Sequence, residues 1–536
     1  MSRSKNFLKG VSSGYLAMAA NVVYTMGSIP LALHYLSKQE FGLWALVSQI
    51  ATYFSLIDVG MYGSTSRTII DFKDNKTDSR YGSVILTSTL VFLIQGIIVA
   101  IAGAGLCFFV SGLMDIPPRY VDSFRVLLVC QCLFLGFGFV TRIFGILLYS
   151  HQRYDVLNVL QTFQLAVMFG ILWFCFKGGV GLYSMLITGA ASTVLGSVIQ
   201  GAACLRLGLF PKPGFWGKPN TATFWNLFSF GGDVFLVGLG YQLMSASQIL
   251  IITRVIGLDA AATWAVCTKC FTLAQQMLSK IYDYSQGAFS EMFVRGERDR
   301  LRSRFKDVLI LTMASSAFFC GSIAVANGEF VRVWTHGRVG WMLINDILMA
   351  TFIFIDVVAR CHGCLAVFTT KQVGFARYAY FIEGAFFIVI ACLGAHLVGL
   401  PGVFAALILA KIAFSCTYGL YRSKEFFGCT YQELILRWTA APFRFLAAFL
   451  AVCFAARLTA GYVPASYRLV LLIALLSLAG LPLLWFVGLT DGLRKEIRGL
   501  AAKILGSVGS KERSQEFPQS AEQAAHARKC ESTVSP

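Results

Sequence analysis

About fourteen apolar runs of membrane-spanning length divide this sequence, and that division limits the fold before any residue is singled out. A helix crosses the hydrocarbon core with ~20 mostly apolar residues, because each backbone polar group must be satisfied inside the segment. The runs cover roughly 10–33, 42–64, 84–112, 124–148, 157–176, 183–204, 226–255, 262–289, 308–333, 342–370, 378–397, 402–421, 443–460 and 469–489. With 57% hydrophobic and 13% charged residues among 536, the chain lacks the polar surface of a soluble protein. A soluble enzyme, a disordered chain and a disulfide-stapled module are excluded. The expectation is an all-α polytopic membrane protein with about 14 transmembrane helices.

The formal net charge of +18 is mostly a record of orientation. With the N-terminus inside, about 30 of the 45 Lys and Arg fall in inner segments and about 5 in outer loops. The strongest inner loop runs from Glu291 to Asp307 and holds Arg295, Arg298, Arg300, Arg302, Arg304 and Lys306. Its counterpart runs from Arg67 to Arg80. Net charge then divides into about +14 inside, about +1 outside and about +3 within the spans, which leaves no basic groove for nucleic acid.

The stretch Val11 to Leu36 is too long for a signal-peptide core and is expected to stay as the first span. Both termini are expected in the cytoplasm. Leu493 to Leu505 reads as a basic amphipathic surface helix, and the tail from Ser507 has a disordered composition. Most cysteines lie in apolar runs and form no disulfide framework. The CxxC spacings Cys267/Cys270 and Cys361/Cys364 lack a second ligand pair and read as small helix residues.

A weak internal repeat is visible. Phe41-Gly-Leu-Trp44-Ala45 opens the second run after a short turn, and Ala261-Ala-Thr-Trp264-Ala265 opens the eighth in the same way. An offset of six spans keeps both halves in the same orientation, so the repeat is parallel, about an axis along the membrane normal.

The segment Tyr35 to Trp44 (YLSKQEFGLW), then Leu56 to Gly60 (LIDVG) and Arg67, resembles the first hairpin of bacterial polysaccharide flippases. These are O-antigen and lipid-linked oligosaccharide translocases of the multidrug/oligosaccharidyl-lipid/polysaccharide exporter superfamily. Gln248 to Gly257 (QILIITRVIG) looks like the matching second-lobe segment, with Gln248 where the family often has an acid. The resemblance implies two six-helix bundles facing across a central cavity, with an extra C-terminal helix pair. The lobes would be 1–205 and 226–422, joined by a cytoplasmic linker 206–225. The extra pair would be 443–490 and the cytoplasmic tail 491–536.

Ionisable residues in a span cost ~2.5–3.5 kcal/mol at mid-bilayer, so they should face protein or a wet cavity. The deep cations are Arg142, Lys269, Lys280, Arg360 and Lys411, with Arg254 near a span end. The deep acids are Asp58, Asp233, Asp283, Asp356 and Glu383. Spacing pairs Asp356 with Arg360 and Lys280 with Asp283. Asp58 could hold Arg67 or another cation at an inner gate. Arg142, Lys269 and Lys411 have no acid within a helical turn, and with Arg254 and Arg360 they are the candidate substrate-binding cations.

The resemblance implies a polyprenyl-pyrophosphate-linked glycan as substrate, moved across the bacterial plasma membrane among membrane lipids and beside glycan-assembly enzymes. Arg and Lys suit its phosphates. No cofactor or metal is expected. A Na⁺ or H⁺ gradient would need a carboxylate, with Asp233 and Glu383 as the candidates. Two alternatives remain. A cation-coupled multidrug antiporter would want a net acidic cavity. A glycan polymerase or ligase would want a large outer loop, and no outer loop here reaches ~20 residues.

Overall fold

The computed structural model describes residues 3–499 other than 59, 73–74 and 364–373, with side chains throughout except at 3–12, 15, 229–234, 284, 287 and 294. The first helices are α1 (Arg3–Tyr35), α2 (Lys38–Phe54), α3 (Met61–Phe72), α4 (Ser79–Leu113), α5 (Pro118–Ser150), α6 (Tyr154–Lys177) and α7 (Tyr183–Arg206). Next come α8 (Thr221–Val255), α9 (Leu258–Cys267), α10 (Lys269–Val294), α11 (Arg298–Trp334), α12 (Leu343–Gly363), α13 (Ala376–Val398), α14 (Leu400–Lys411) and α15 (Thr417–Phe427). The last two are α16 (Ala440–Ala460) and α17 (Ala465–Leu483).

As far as the described residues reach, each of the fourteen apolar runs falls on a helical pass. The second pass is α2 and α3, the eighth is α9 and α10, and the twelfth is α14 and α15. Among the described residues, twelve stretches are long and apolar enough to cross a membrane. The eighth and tenth passes fall outside that set. α9 has only 10 residues, and α10 carries Lys269, Lys280 and Asp283. α12 holds Asp346, Asp356 and Arg360 within its 21 residues. The polar cargo of the spans is thus concentrated in two adjoining passes of the second half.

Local chemistry sets several of the boundaries. At the start of α2, Ser37 Oγ accepts from Glu40 N (3.2 Å) and Glu40 accepts from Ser37 N (2.8 Å), a reciprocal cap that ends the first hairpin sharply. Gly257, at φ +122°, turns the chain between α8 and α9 in a conformation that side chains resist. The eighth pass was expected to be continuous. Instead it breaks at Thr268, whose hydroxyl bonds back to Trp264 O at 2.7 Å, and α10 begins with Lys269.

Packing repeats with the six-pass offset. α4 packs on α5 as α11 packs on α12, and α1 packs on α6 as α8 packs on α13. Likewise α6 and α7 match α13 and α14, while α5 and α7 match α12 and α14. At the centre, α2 packs on α9, and Gln39 Nε2 donates to Asp259 Oδ2 at 3.2 Å across a separation of 220 residues. These two occupy equivalent positions in the repeat, so they meet where a two-fold axis would pass. Gly42 makes that approach feasible, since a Cβ there would lie 2.2 Å from Leu258 O.

This short-turn end holds the halves together. Its apolar cluster mixes Leu36, Phe41 and Leu46 with Leu258, Ala262 and Val331. Trp334 Nε1 donates to Met26 O at 2.7 Å, and Arg338 donates to Leu33 O. Toward the opposite, basic-loop end, α8 packs against α2, α3 and α4, whereas α1 has no comparable packing against α10 among the described residues. The extra pair docks on α11 through Phe318, Phe445, Phe449 and Leu476. Outside, α4 exposes Leu90, Ile94, Ile97, Ile101 and Phe108, a face suited to lipid. The helix that begins at Asp491 is amphipathic through 499. Leu493 is buried, Ile497 packs against the same cluster, and Arg304 binds Glu496 at 2.5 Å. Residues 500–536, including the rest of the expected surface helix and the tail, lie outside the described residues.

Candidate functional site

The deep charges form two groups, one in each half. In the first, α2 ends in a turn of 3-10 helix (Ser55–Asp58) before the chain re-enters as α3. Arg142 of α5 donates to Asp58 Oδ1 at 2.8 Å. Its guanidinium lies 4.2 Å from the centroid of the Phe139 ring, one turn back on the same helix. Asp58 therefore holds a cation, and that cation is Arg142. Arg67 stands exposed on α3.

The second group is a buried quartet. Lys411, at the end of α14, sits 3.0 Å from Asp356 Oδ1 and 2.6 Å from Glu383 Oε1. Arg360 Nε reaches Asp356 Oδ2 at 2.9 Å, one turn away on α12. Gln275 of α10 donates to Asp356 at 2.6 Å, and the Ser415 backbone N–H donates to Glu383 Oε2 at 2.8 Å. Ser415 lies in a π-helical turn, Ile412–Cys416, which turns its amide toward the carboxylate. Two acids and two bases balance, as buried charges must. Lys411, read from sequence among the cavity cations, has both carboxylates as partners. Glu383, read as an ion-coupling candidate, has both oxygens occupied.

Exposure separates the members. Side chains of Asp356, Glu383 and Lys411 are 2–4% exposed, whereas Arg360 is 27% and Arg142 is 24% exposed. Arg360 lies 4.4 Å from the Tyr241 ring centroid on α8, the helix packed against the other half. Each half thus presents one arginine, backed by an aspartate and flanked by an aromatic ring. α5 and α12 are equivalent passes, and the two arginines differ by 218 positions, within two of the 220 that relate Gln39 to Asp259.

The remaining candidates scatter. Lys280 and Asp283 face each other loosely at 3.9 Å, both about half exposed. Arg254 pairs with Asp115, in the α4–α5 loop, at the short-turn end. Lys269 has no carboxylate within ion-pair distance among the described residues. The side chain of Asp233 lies outside the described residues. Sequence reasoning missed Asp346, a buried carboxylate in the first turn of α12. It looked like the edge of a span, and no periodicity signals that it turns inward.

Comparison with known proteins fits this architecture. A family model described as “Polysaccharide biosynthesis protein” matches residues 7–284, a little over half of the 536. The chain belongs to this polysaccharide biosynthesis family. No curated protein matches it. Among solved structures, this family member is similar to the lipid II flippase MurJ in an inward closed conformation, with 14% identity over 86% of this chain and 97% of that one, at a TM-score of 0.62. It is also similar to an inward-facing multidrug resistance MATE transporter of the MOP superfamily, with 13% identity over 75% and 94% and a TM-score of 0.58. A third is a MOP superfamily transporter from Pyrococcus furiosus, with 14% identity over 79% and 95% and a TM-score of 0.55. At such identities these likenesses establish the fold. The family member is a multi-pass membrane protein with the fold of MOP superfamily transporters and flippases.

Proposed function

We propose that this chain is a flippase that carries a polyprenyl-pyrophosphate-linked oligosaccharide across the bacterial plasma membrane by alternating access. The short-turn end faces outward, and both termini are cytoplasmic. The observation that supports the reading best is the matched pair Arg142–Asp58 and Arg360–Asp356, one from each half, with the arginines on equivalent passes. A pyrophosphate offers two phosphates, and a planar guanidinium fork suits each. The carboxylate behind each arginine keeps the empty site neutral, so the cation can wait in the membrane at low cost.

The packing of α2 against α9 at the short-turn end supports entry from the basic-loop end. The polyprenyl tail would remain in lipid beside the helices while the headgroup moves. The family match and the shared fold with a lipid II flippase support the substrate class.

The test is delivery of a lipid-linked glycan to the outer leaflet by Arg142→Ala, Arg360→Ala and the double variant, with Arg→Lys at each site as control. Each single Ala variant should lose at least about tenfold, equivalent to ~1.4 kcal/mol per lost charged contact. Lys variants should recover part of that. Full transport in the double variant would sink the proposal. Efflux of a cationic dye by the same protein in liposomes would point instead to the multidrug antiporter reading.

A further inference from the structure

We infer that the basic-loop end of the extra helix pair carries a binding site for the headgroup of an anionic glycerophospholipid. The site is a cavity of about 390 Å³ where the start of α16, the end of the last pass and the helix that begins at Asp491 come together. Its lining includes Arg444, Thr490, Asp491 and Arg494 together with Phe486 and Val487. Its volume lies in the range of small-ligand sites, ~300–1,000 Å³.

The chain path explains how these groups meet. A π-helical turn, Leu484–Gly488, closes the last pass, and Leu489 follows in an extended conformation. The Arg494 N–H then bonds back to Thr490 O at 3.0 Å as the next helix starts. Leu493 is buried and Ile497 packs on the cluster around α11, which seats that helix firmly. Arg494 is thereby held at the same cavity as Arg444 of α16. Phe486, also in the lining, is 63% exposed and offers an apolar surface beside the two arginines.

The charges select the ligand. Arg444 makes one long bond, 3.4 Å, to Ala440 O and has no carboxylate at ion-pair distance among the described residues. Arg494 pairs with Asp491 at 2.8 Å, but the Asp491 side chain is 87% exposed, and a solvated pair of this kind contributes little. Arg444 and Arg494 against Asp491 leave a net charge of +1, the complement of one phosphodiester. Guanidinium forks and the Thr490 hydroxyl supply donors for its oxygens. The apolar part of the lining favours a lipid over free phosphate, and the positive excess disfavours the ammonium of a zwitterionic lipid. Basic pockets at the ends of spans are suited to anionic headgroups. Arg304 of α11 holds Glu496 of the same surface helix at 2.5 Å, so a headgroup seated against Arg494 links the extra pair to the basic loop.

The inference does not depend on the flippase reading, because the readout is lipid binding alone. Purified full-length protein in nonionic detergent is mixed with a photoactivatable phosphatidylglycerol, and crosslinked peptides are mapped by mass spectrometry. Labelling should concentrate on residues 484–494. A phosphatidylcholine with the same photoactivatable chain should label them at least about fivefold less. Arg444→Gln and Arg494→Gln should each lower phosphatidylglycerol labelling there about fivefold. Labelling elsewhere on the same variants should be unchanged, which reports an intact fold, and Arg444→Lys should retain most of the signal. Arg298→Gln, in the basic loop and outside the lining, should have no effect. Equal labelling by the two lipids, labelling that survives loss of both arginines, an equal drop in Arg298→Gln, or equally effective competition by inorganic phosphate would each overturn the site.

Discussion

Removing Lys411 should show how strongly the buried quartet is charge-balanced. Lys411→Met keeps the length and most of the volume of the side chain but removes the charge that faces both Asp356 and Glu383. Arg360 still compensates Asp356, so the excess negative charge falls on Glu383, left with one backbone N–H. Breaking one side of a buried pair typically costs ~3–5 kcal/mol. Hence the variant should be destabilised by about 3–5 kcal/mol relative to the parent at pH 7. Adding Glu383→Gln removes the excess charge, so the double variant should recover most of the loss. Unfolding by denaturing detergent at pH 7 reads these differences. A single variant as stable as the parent at pH 7, or a double variant no better than the single, would refute the charge-balance reasoning.

Other consequences are checked more simply. Gln39→Cys with Asp259→Cys should crosslink with a short bifunctional maleimide, because the parent side chains already meet at 3.2 Å. Gly42→Val should suppress that crosslink, since even a Cβ at Gly42 would lie 2.2 Å from Leu258 O and forces the halves apart. Glu496→Arg should expose the helix after Asp491 to protease by repelling Arg304, and Arg304→Glu in the same chain should restore protection. The global stability change there should be small, ~0.2–1 kcal/mol, because the pair is partly exposed.

Most of the passes were legible because length and hydropathy define them, and twelve stretches among the described residues meet both measures. The parallel repeat was legible from one short resemblance, and the 220-residue separation of Gln39 and Asp259 gives it a physical contact. Local pairing was legible too: Asp356 and Arg360 are one helical turn apart, and the structure joins them. Pairing between helices was not. Arg142 and Asp58 are 84 residues apart, and Lys411 meets its acids from another helix. Such contacts depend on how each helix is rotated about its axis, which hydropathy does not encode. The break at Thr268 was hidden for a different reason, since neither Gly nor Pro marks it.

The spans carry a small positive excess, and the structure changes what that excess means. Arg142, Lys280, Arg360 and Lys411 all have acids, and of the deep cations only Lys269 has none at ion-pair distance among the described residues, so most of the excess is not free. Free cations would be costly while the site is empty and would hold a pyrophosphate too firmly to release it. An arginine leaning on an aspartate avoids both extremes. The aspartate competes with the phosphate at every stage, so binding is weakened by the exchange of one anion for another. That exchange makes a specific demand on the two halves. Replacing Asp58 or Asp356 with Asn should tighten retention of the substrate headgroup while slowing its delivery, the opposite of what loss of an arginine does. Asp58→Asn is the cleaner test, because Asp356 also holds Lys411 and Gln275. Equal losses of binding and transport in Asp58→Asn would mean that the aspartate only positions its arginine and does not compete.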